Sequence, residues 1–312
     1  SYAEWQLAHP SAPPSVLSDL VRRTTGTEIA RMERIVEGYS NEVYRIWCTG
    51  GHDLVIRILR FDDDVGSAAA ASEAAAIDRA RAAGVPVPEI LLLDAVRIDG
   101  AEFPAMVQRT VPGVPLSAVI GTLSGRERYN VLTRIGELIA RINTIRIGGE
   151  QDWPTTMAAV LADRHAGRGK ILTAGFSARQ FDQIIAALHE YTRDFPCAQW
   201  VLCHGDLSTK HIFVTGRPAV HVSGIIDFGD WQPGAPVHDL AVLRVRNPEL
   251  DLRPLIAGYG PAADAAYRWR LDRHTLLIAL GSLEFAVSEH DRPAIESSTR
   301  LIRALIAKIR AR

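Results

Sequence analysis

The chain has 312 residues, 47% hydrophobic and 23% charged, a composition that excludes wholesale disorder and leaves room for two lobes with cores. Thirty-five basic residues stand against 36 acidic ones, for a formal net charge of -1, which argues against a general nucleic-acid binder. No apolar run approaches the ~20 residues that a membrane helix needs, the first residues carry no basic-then-apolar leader pattern, and Cys48, Cys197 and Cys203 are too few and too scattered for a disulfide framework. Together these features predict a cytoplasmic protein without membrane or nucleic-acid partners.

In chain order, Ser1 to Pro14 reads as a loose lead-in and Val16 to Thr25 as a helix stopped by Gly26. Three antiparallel strands follow over Glu28 to Val36, Glu42 to Trp47 and Asp53 to Leu59, broken by Gly38 and by Gly50-Gly51. The alanine-rich Ser67 to Ala83 is a strong helix former that ends at Gly84. Glu89 to Val96 and Pro104 to Arg109 read as two further strands. The composition changes at Val111-Pro112-Gly113-Val114-Pro115, a linker. Beyond it helical patterns dominate: Arg126 to Ile145, Phe181 to Arg193, His238 to Arg246, Ala262 to Ser288 and Arg292 to Ile309. A β-like island interrupts them at Trp200 to Cys203, Ile212 to Val214 and Val222 to Ile226. The fold class expected is α+β, with a small β-rich lobe joined to a larger helical one.

The island carries the chemistry. It reads Cys203-His204-Gly205-Asp206-Leu207-Ser208-Thr209-Lys210-His211, then Ile225-Ile226-Asp227-Phe228-Gly229-Asp230. Two short apolar strands each deliver an acid into a loop. Phosphoryl transfer needs one carboxylate to orient a hydroxyl and another to hold metal on the nucleotide phosphates. The order H-x-D followed by D-x-G is the one that kinase-type catalytic loops use. A zinc site from Cys203, His204, His211 and His221 is disfavoured, because their spacing fits none of the usual paired patterns.

On these motifs the chain resembles the aminoglycoside phosphotransferase-like family of small-molecule kinases, over roughly Ile35 to Leu243. The resemblance implies a bilobal protein-kinase-like fold: residues 1–107 as nucleotide-binding lobe, 108–115 as hinge, and 116–312 as helical lobe with catalytic loop and acceptor pocket. It implies Asp206 as catalytic base and Asp227 as ligand of Mg2+, with His204 structural and Asp239 bracing the loop. His211 stands where most members have Asn. Macrolide kinases of the family share a histidine there, so the resemblance implies His211 as a second metal ligand and points towards a macrolide.

In the first lobe, Gly38-Tyr39-Ser40-Asn41-Glu42-Val43-Tyr44 resembles the family's nucleotide loop, with Ser40 and Asn41 near phosphates; on its own it reads as a hairpin turn. Arg57 occupies the place of the phosphate-pairing lysine, and Glu73 would pair with it. The backbone of Arg109 and Val111 would meet the nucleotide base. The co-substrate implied is ATP or GTP, the partner a small-molecule acceptor, and the assembly a monomer or a dimer.

After Leu240 the chain has eight acidic against twelve basic residues, a poor match for a polycationic aminoglycoside and a better one for a macrolide or other largely apolar alcohol. Phe228-Gly229-Asp230, by contrast, looks more like aminoglycoside and metabolite kinases. The reading is therefore an O-phosphotransferase acting on an antibiotic-like hydroxyl. The alternatives are a metabolite kinase for a sugar, choline or homoserine-like alcohol, and a catalytically silent kinase-like binding module.

Overall fold

In the computed structural model, the described residues are 11–36, 41–60, 64–148, 152–216 and 219–310. Ser40, with Gly38 and Tyr39 of the glycine-containing loop, lies outside them. The chain divides into two compact units. The first comprises Ser1–Gly113, Phe213–Thr215 and Ser223–Gly229; the second comprises Val114–Ile212, Gly216–Val222 and Asp230–Arg312.

Unit one is built on a five-stranded antiparallel sheet. Its strands are β1 (Ile29–Ile35), β2 (Asn41–Cys48), β3 (Asp53–Leu59), β4 (Ile90–Ile98) and β5 (Ala101–Arg109), in the spatial order β1-β2-β3-β5-β4. Alternation decides what each face does. Tyr44, Ile46, Leu54, Ile56 and Ile58 turn to one side, where helix α1 (Pro14–Thr25) buries Leu17, Leu20 and Val21 among them. Arg57 falls between two such residues and so belongs to the opposite face. Helix α2 (Asp64–Ala82) supplies its partner there.

Unit two is mainly helical: α3 (Gly125–Ile142), α4 (Trp153–Ala166), α5 (Arg168–Thr173), α6 (Ala178–Asp194), α7 (His238–Arg246), α8 (Leu252–Tyr259), α9 (Ala265–Ser288) and α10 (Arg292–Arg310). The island forms short strands β6 (Val201–Cys203), β7 (Ile212–Thr215), β8 (His221–Ile225) and β9 (Gln232–Gly234); β6 and β9 pair antiparallel in unit two, whereas most of β7 and of β8 belongs to unit one. Helix starts obey capping chemistry. Ser124 with Glu127 and Ser177 with Gln180 form capping boxes at α3 and α6. The Asp264 side chain takes the Tyr267 N–H at 2.7 Å, so α9 begins at Ala265 and not at Ala262. Helix α9 is buried almost all round, with Leu271, Leu276, Leu277, Leu280 and Leu283 in the core.

Of these elements, α4, α5, α8 and β9 are absent from the sequence reading. Helices α4 and α8 carried cap signals. Asp152 accepts from Thr155 N at 3.0 Å ahead of a proline in the first turn of α4, and Asp251 accepts from Arg253 N at 2.9 Å ahead of α8. Strand β9 is Gln-Pro-Gly, which no propensity would choose; its pairing with β6 makes it a strand. Cys48, Cys197 and Cys203 are all buried thiols. Among the described residues no helix is long and apolar enough to cross a membrane.

Candidate active site

The chemistry-bearing residues lie in two groups, one in each unit. In unit one, β3 presents Arg57, α2 presents Glu73, and the turn after β8 presents Asp227. Arg57 and Glu73 are nearly inaccessible and form an ion pair, while the Arg57 guanidinium also donates to Asp227 Oδ1 at 3.3 Å. A buried arginine requires such partners, since an unpaired buried charge is costly. Asp227 is different in kind: its side chain is 47% exposed, and its backbone sits at φ +68°. That left-handed conformation is uncommon for a non-glycine residue but tolerated best by Asp and Asn. Next to it Phe228 is fully buried and anchors the turn, and a Cβ at Gly229 would lie 3.7–3.8 Å from Asp227, Glu73 and Arg57.

Asn41 opens β2 directly after the undescribed loop residues. At the end of β5, the Arg109 N–H donates to the Glu89 carbonyl at 2.8 Å and its side chain pairs with the Glu89 carboxylate at 2.8 Å. Val111 is buried, and the glycine at 224 makes room for it: a Cβ there would stand 2.5 Å from a Val111 methyl.

In unit two, the loop from His204 to His211 is held by a single helix. At the N-terminus of α7, Asp239 is fully buried and takes the N–H of His204 at 3.1 Å and of Gly205 at 3.2 Å. Burial pushes its carboxyl up to about 6, against the pull of those two N–H groups. Past the C-terminus of α7, Asn247 takes the Thr209 N–H at 3.0 Å and donates to the Thr209 hydroxyl at 3.0 Å. Between these anchors, Arg246 reaches Asp206: Nε lies 2.8 Å and Nη2 2.6 Å from Oδ1. Arg244, two residues earlier, points the other way and pairs with buried Asp272 of α9 at 2.9 Å. Helix α7 is thus a splint, tied to α9 and pinning the loop at both ends.

The histidine rings have assignable roles. His204 is fully buried, and its Nδ1 accepts from the Asp206 N–H at 3.4 Å, which puts its proton on Nε2. The His211 Nδ1 stands 2.7 Å from the Asp206 carbonyl oxygen, which only accepts, so Nδ1 is the donor, and in the neutral ring Nε2 carries the lone pair. The two rings stack at 5.9 Å.

Asp227 therefore offers oxygen and fits a hard divalent ion. His211 offers nitrogen, which magnesium favours less. Magnesium is usually held by one or two carboxylates with substrate phosphates and water, so such a site needs no cluster of three or more protein ligands. Among the described residues no such cluster of His, Cys, Asp and Glu occurs.

The structure brings Arg57, Glu73 and Asp227 together in unit one and Asp206 and His211 together in unit two. The sequence reading missed Arg246 and Asn247. No motif marks them; the only signal was two polar residues at the end of a predicted helix that begins with His238-Asp239.

A model of the phosphotransferase enzyme family matches residues 31–271. No curated protein matches the chain. Solved structures do. A GDP and kanamycin complex of APH(2")-IIIa is similar at TM-score 0.66 and 18% identity, over 94% of this chain and 98% of that one. ADP-bound aminoglycoside phosphotransferase APH(2")-Ib is similar at 0.58 and 13%, over 95% and 98%. Macrolide 2'-phosphotransferase MphH from Brachybacterium faecium is similar at 0.52 and 16%, over 92% and 97%. At these identities the likeness establishes the fold.

Proposed function

The chain belongs to the phosphotransferase enzyme family, and from that premise we propose that it moves the γ-phosphate of ATP or GTP to a hydroxyl of an antibiotic-like small molecule, with a macrolide favoured over an aminoglycoside. The observation that carries this reading is the splinted loop: Asp206 is fixed by a helix pinned on either side of it, which is what a group that must meet a reacting hydroxyl requires. Asp206 is the general base, taking the acceptor's proton as the oxygen attacks the γ-phosphorus and the bond to the nucleoside diphosphate leaving group breaks. Arg57, locked by Glu73, pairs with the nucleotide phosphates. Asn41, with Ser40, contributes to the phosphate loop. Val111 and Arg109 meet the base through their backbone; because the Arg109 N–H is given to Glu89, its contact falls to the carbonyl. Asp227 and His211 are proposed, from the family resemblance, as the residues that would hold a magnesium ion, which would supply charge neutralisation on the phosphates.

The preference for a macrolide rests on charge. The side chain that pairs with Asp206 is a cation that is 56% exposed. A polycationic acceptor would meet repulsion there, whereas a largely apolar alcohol would not. The nucleotide complexes of the similar structures support a GTP or ATP donor. Residues 1–107, 108–115 and 116–312 are proposed as nucleotide lobe, hinge and acceptor lobe.

The test is phosphate transfer from ATP and from GTP to macrolides, aminoglycosides and simple alcohols, with D206N beside every measurement. D206N is expected to lose ~10²–10⁴-fold in turnover while binding nucleotide as the wild type does. D227A is expected to lose metal-dependent nucleotide binding. Near wild-type turnover in D206N would remove Asp206 from its role. Turnover confined to a sugar, choline or homoserine-like alcohol would reassign the chain as a metabolite kinase.

A further inference from the structure

Resting on the reading of Asp206 as base, we infer that Arg246 is a positioning residue for the transfer, holding one oxygen of the base so that the other is presented to the acceptor hydroxyl. Both Nε and Nη2 of Arg246 converge on the same atom, Oδ1, at 2.8 and 2.6 Å. The second oxygen, Oδ2, is 4.0 Å from the His211 Nδ1, beyond hydrogen-bond reach, because that nitrogen donates to the Asp206 carbonyl. Two donors on one oxygen fix the carboxylate plane. The carboxylate then has one committed face and one open face.

The contact is hard to explain as a device for stability. Arg246 is 56% exposed and Asp206 25% exposed, and pairs so placed contribute little to folding. The arginines on buried carboxylates do that work here, as Arg244 does on Asp272. Geometry is a better explanation. Arg246 is the last residue of α7, the helix whose other end holds the His204 and Gly205 N–H groups through Asp239. The backbone entering Asp206 and the side chain leaving it are thus referred to one rigid element. An oxygen displaced by about 1 Å costs on the order of 100-fold in rate, so a fork that removes rotation of the carboxylate repays its place. A lysine would keep the charge at Oδ1 but lose the paired geometry.

The test uses the full chain as R246Q, R246K and D206N. With the best acceptor of the panel, or with water as acceptor and phosphate release from ATP or GTP as the signal, R246Q is expected to lose about 10–100-fold in kcat with the nucleotide KM unchanged. R246K should recover part of that loss and no more. A second readout needs no turnover. In 15N spectra of the wild type the Arg246 Nε–H signal is expected downfield because of its bond to Oδ1, and D206N, which removes the carboxylate charge, should move it towards the position of the exposed arginines. R246Q at wild-type kcat, or an Nε–H signal unmoved by D206N, overturns the inference. Turnover unchanged in D206N overturns the assignment of the base instead, and the two failures are separate. If R246Q melts well below the wild type, the Nε–H signal and R246K decide: full wild-type kcat in R246K then overturns the inference.

Discussion

At position 205 the backbone takes φ +87°, and a Cβ built there would lie 1.8 Å from the Asp230 carbonyl oxygen. Both facts require glycine, one through backbone sterics and the other through contact. Because Asp206 follows directly, G205A should shift the loop and cost roughly 100-fold in kcat, read beside a thermal melt that shows the fold retained. Asp239 is the second residue with no latitude. Its carboxyl rises from 3.8 to about 6 on burial, so between those pH values the folded chain holds more proton than the unfolded one. The associated stability is fully present below about pH 4 and is lost as pH rises through about 6. The displacement corresponds to about 3 kcal/mol. In D239N that pH-dependent component should vanish from the unfolding free energy, leaving a constant loss from the broken N–H contacts. Chemical denaturation of both chains from pH 4 to 7 measures the difference.

Helices α3 and α8 approach so closely that their backbones touch, and two glycines make the approach possible. A Cβ at Gly136 of α3 would stand 2.0 Å from the Leu255 carbonyl oxygen, and one at Gly258 of α8 would stand 1.8 Å from the Thr133 carbonyl oxygen. The fit is reciprocal, each helix lending a notch to the other. Packing this close leaves no side chain to yield, so G136A and G258A are each expected to cost about 1–3 kcal/mol or more in unfolding free energy. Once one alanine has forced the helices apart the second meets less resistance, so the double variant should cost less than the sum. Equilibrium denaturation of the three variants reads this directly. At the same scale, α7 shows why an element can matter more than its length. Its nine residues place Asp239 at one end, Arg246 at the other, and Arg244 on the face turned to α9.

At the scale of the molecule, a buried chain of hydrogen bonds joins four elements: Gln232 of β9 to His238 of α7 at 3.1 Å, His238 to His274 of α9 at 3.0 Å, and His274 to Tyr191 of α6 at 3.0 Å. Each imidazole uses both nitrogens, one giving and one taking, which fits neutral rings. Burial lowers His238 to about 4 and His274 well below its usual value. The unfolded chain therefore takes up protons first as pH falls below about 6.5, and stability present above that pH is lost towards 4, with about 3 kcal/mol from His238 alone. This acid loss opposes the Asp239 contribution, and His274 adds to His238 in the same direction. The melting temperature should drop from pH 7 to pH 5, and H274Q should show a smaller drop from a lower starting value. Much of this molecule was legible in its residues. The alternation of β2 and β3 put Arg57 on the face opposite Ile56 and Ile58. The alanine-rich run made α2, and the His-Gly-Asp and Asp-Phe-Gly runs located both acids. Those features are local: period, propensity and short motifs act within a few residues. What only the tertiary structure decided is non-local. Residues 206 and 246 are forty positions apart, as are many pairs with no energetic consequence, and nothing in either neighbourhood specifies their contact. The same holds for the paired glycines, for the histidine chain and for the strand made of Gln-Pro-Gly. Each exists because packing brings together groups whose own sequence preferences are silent.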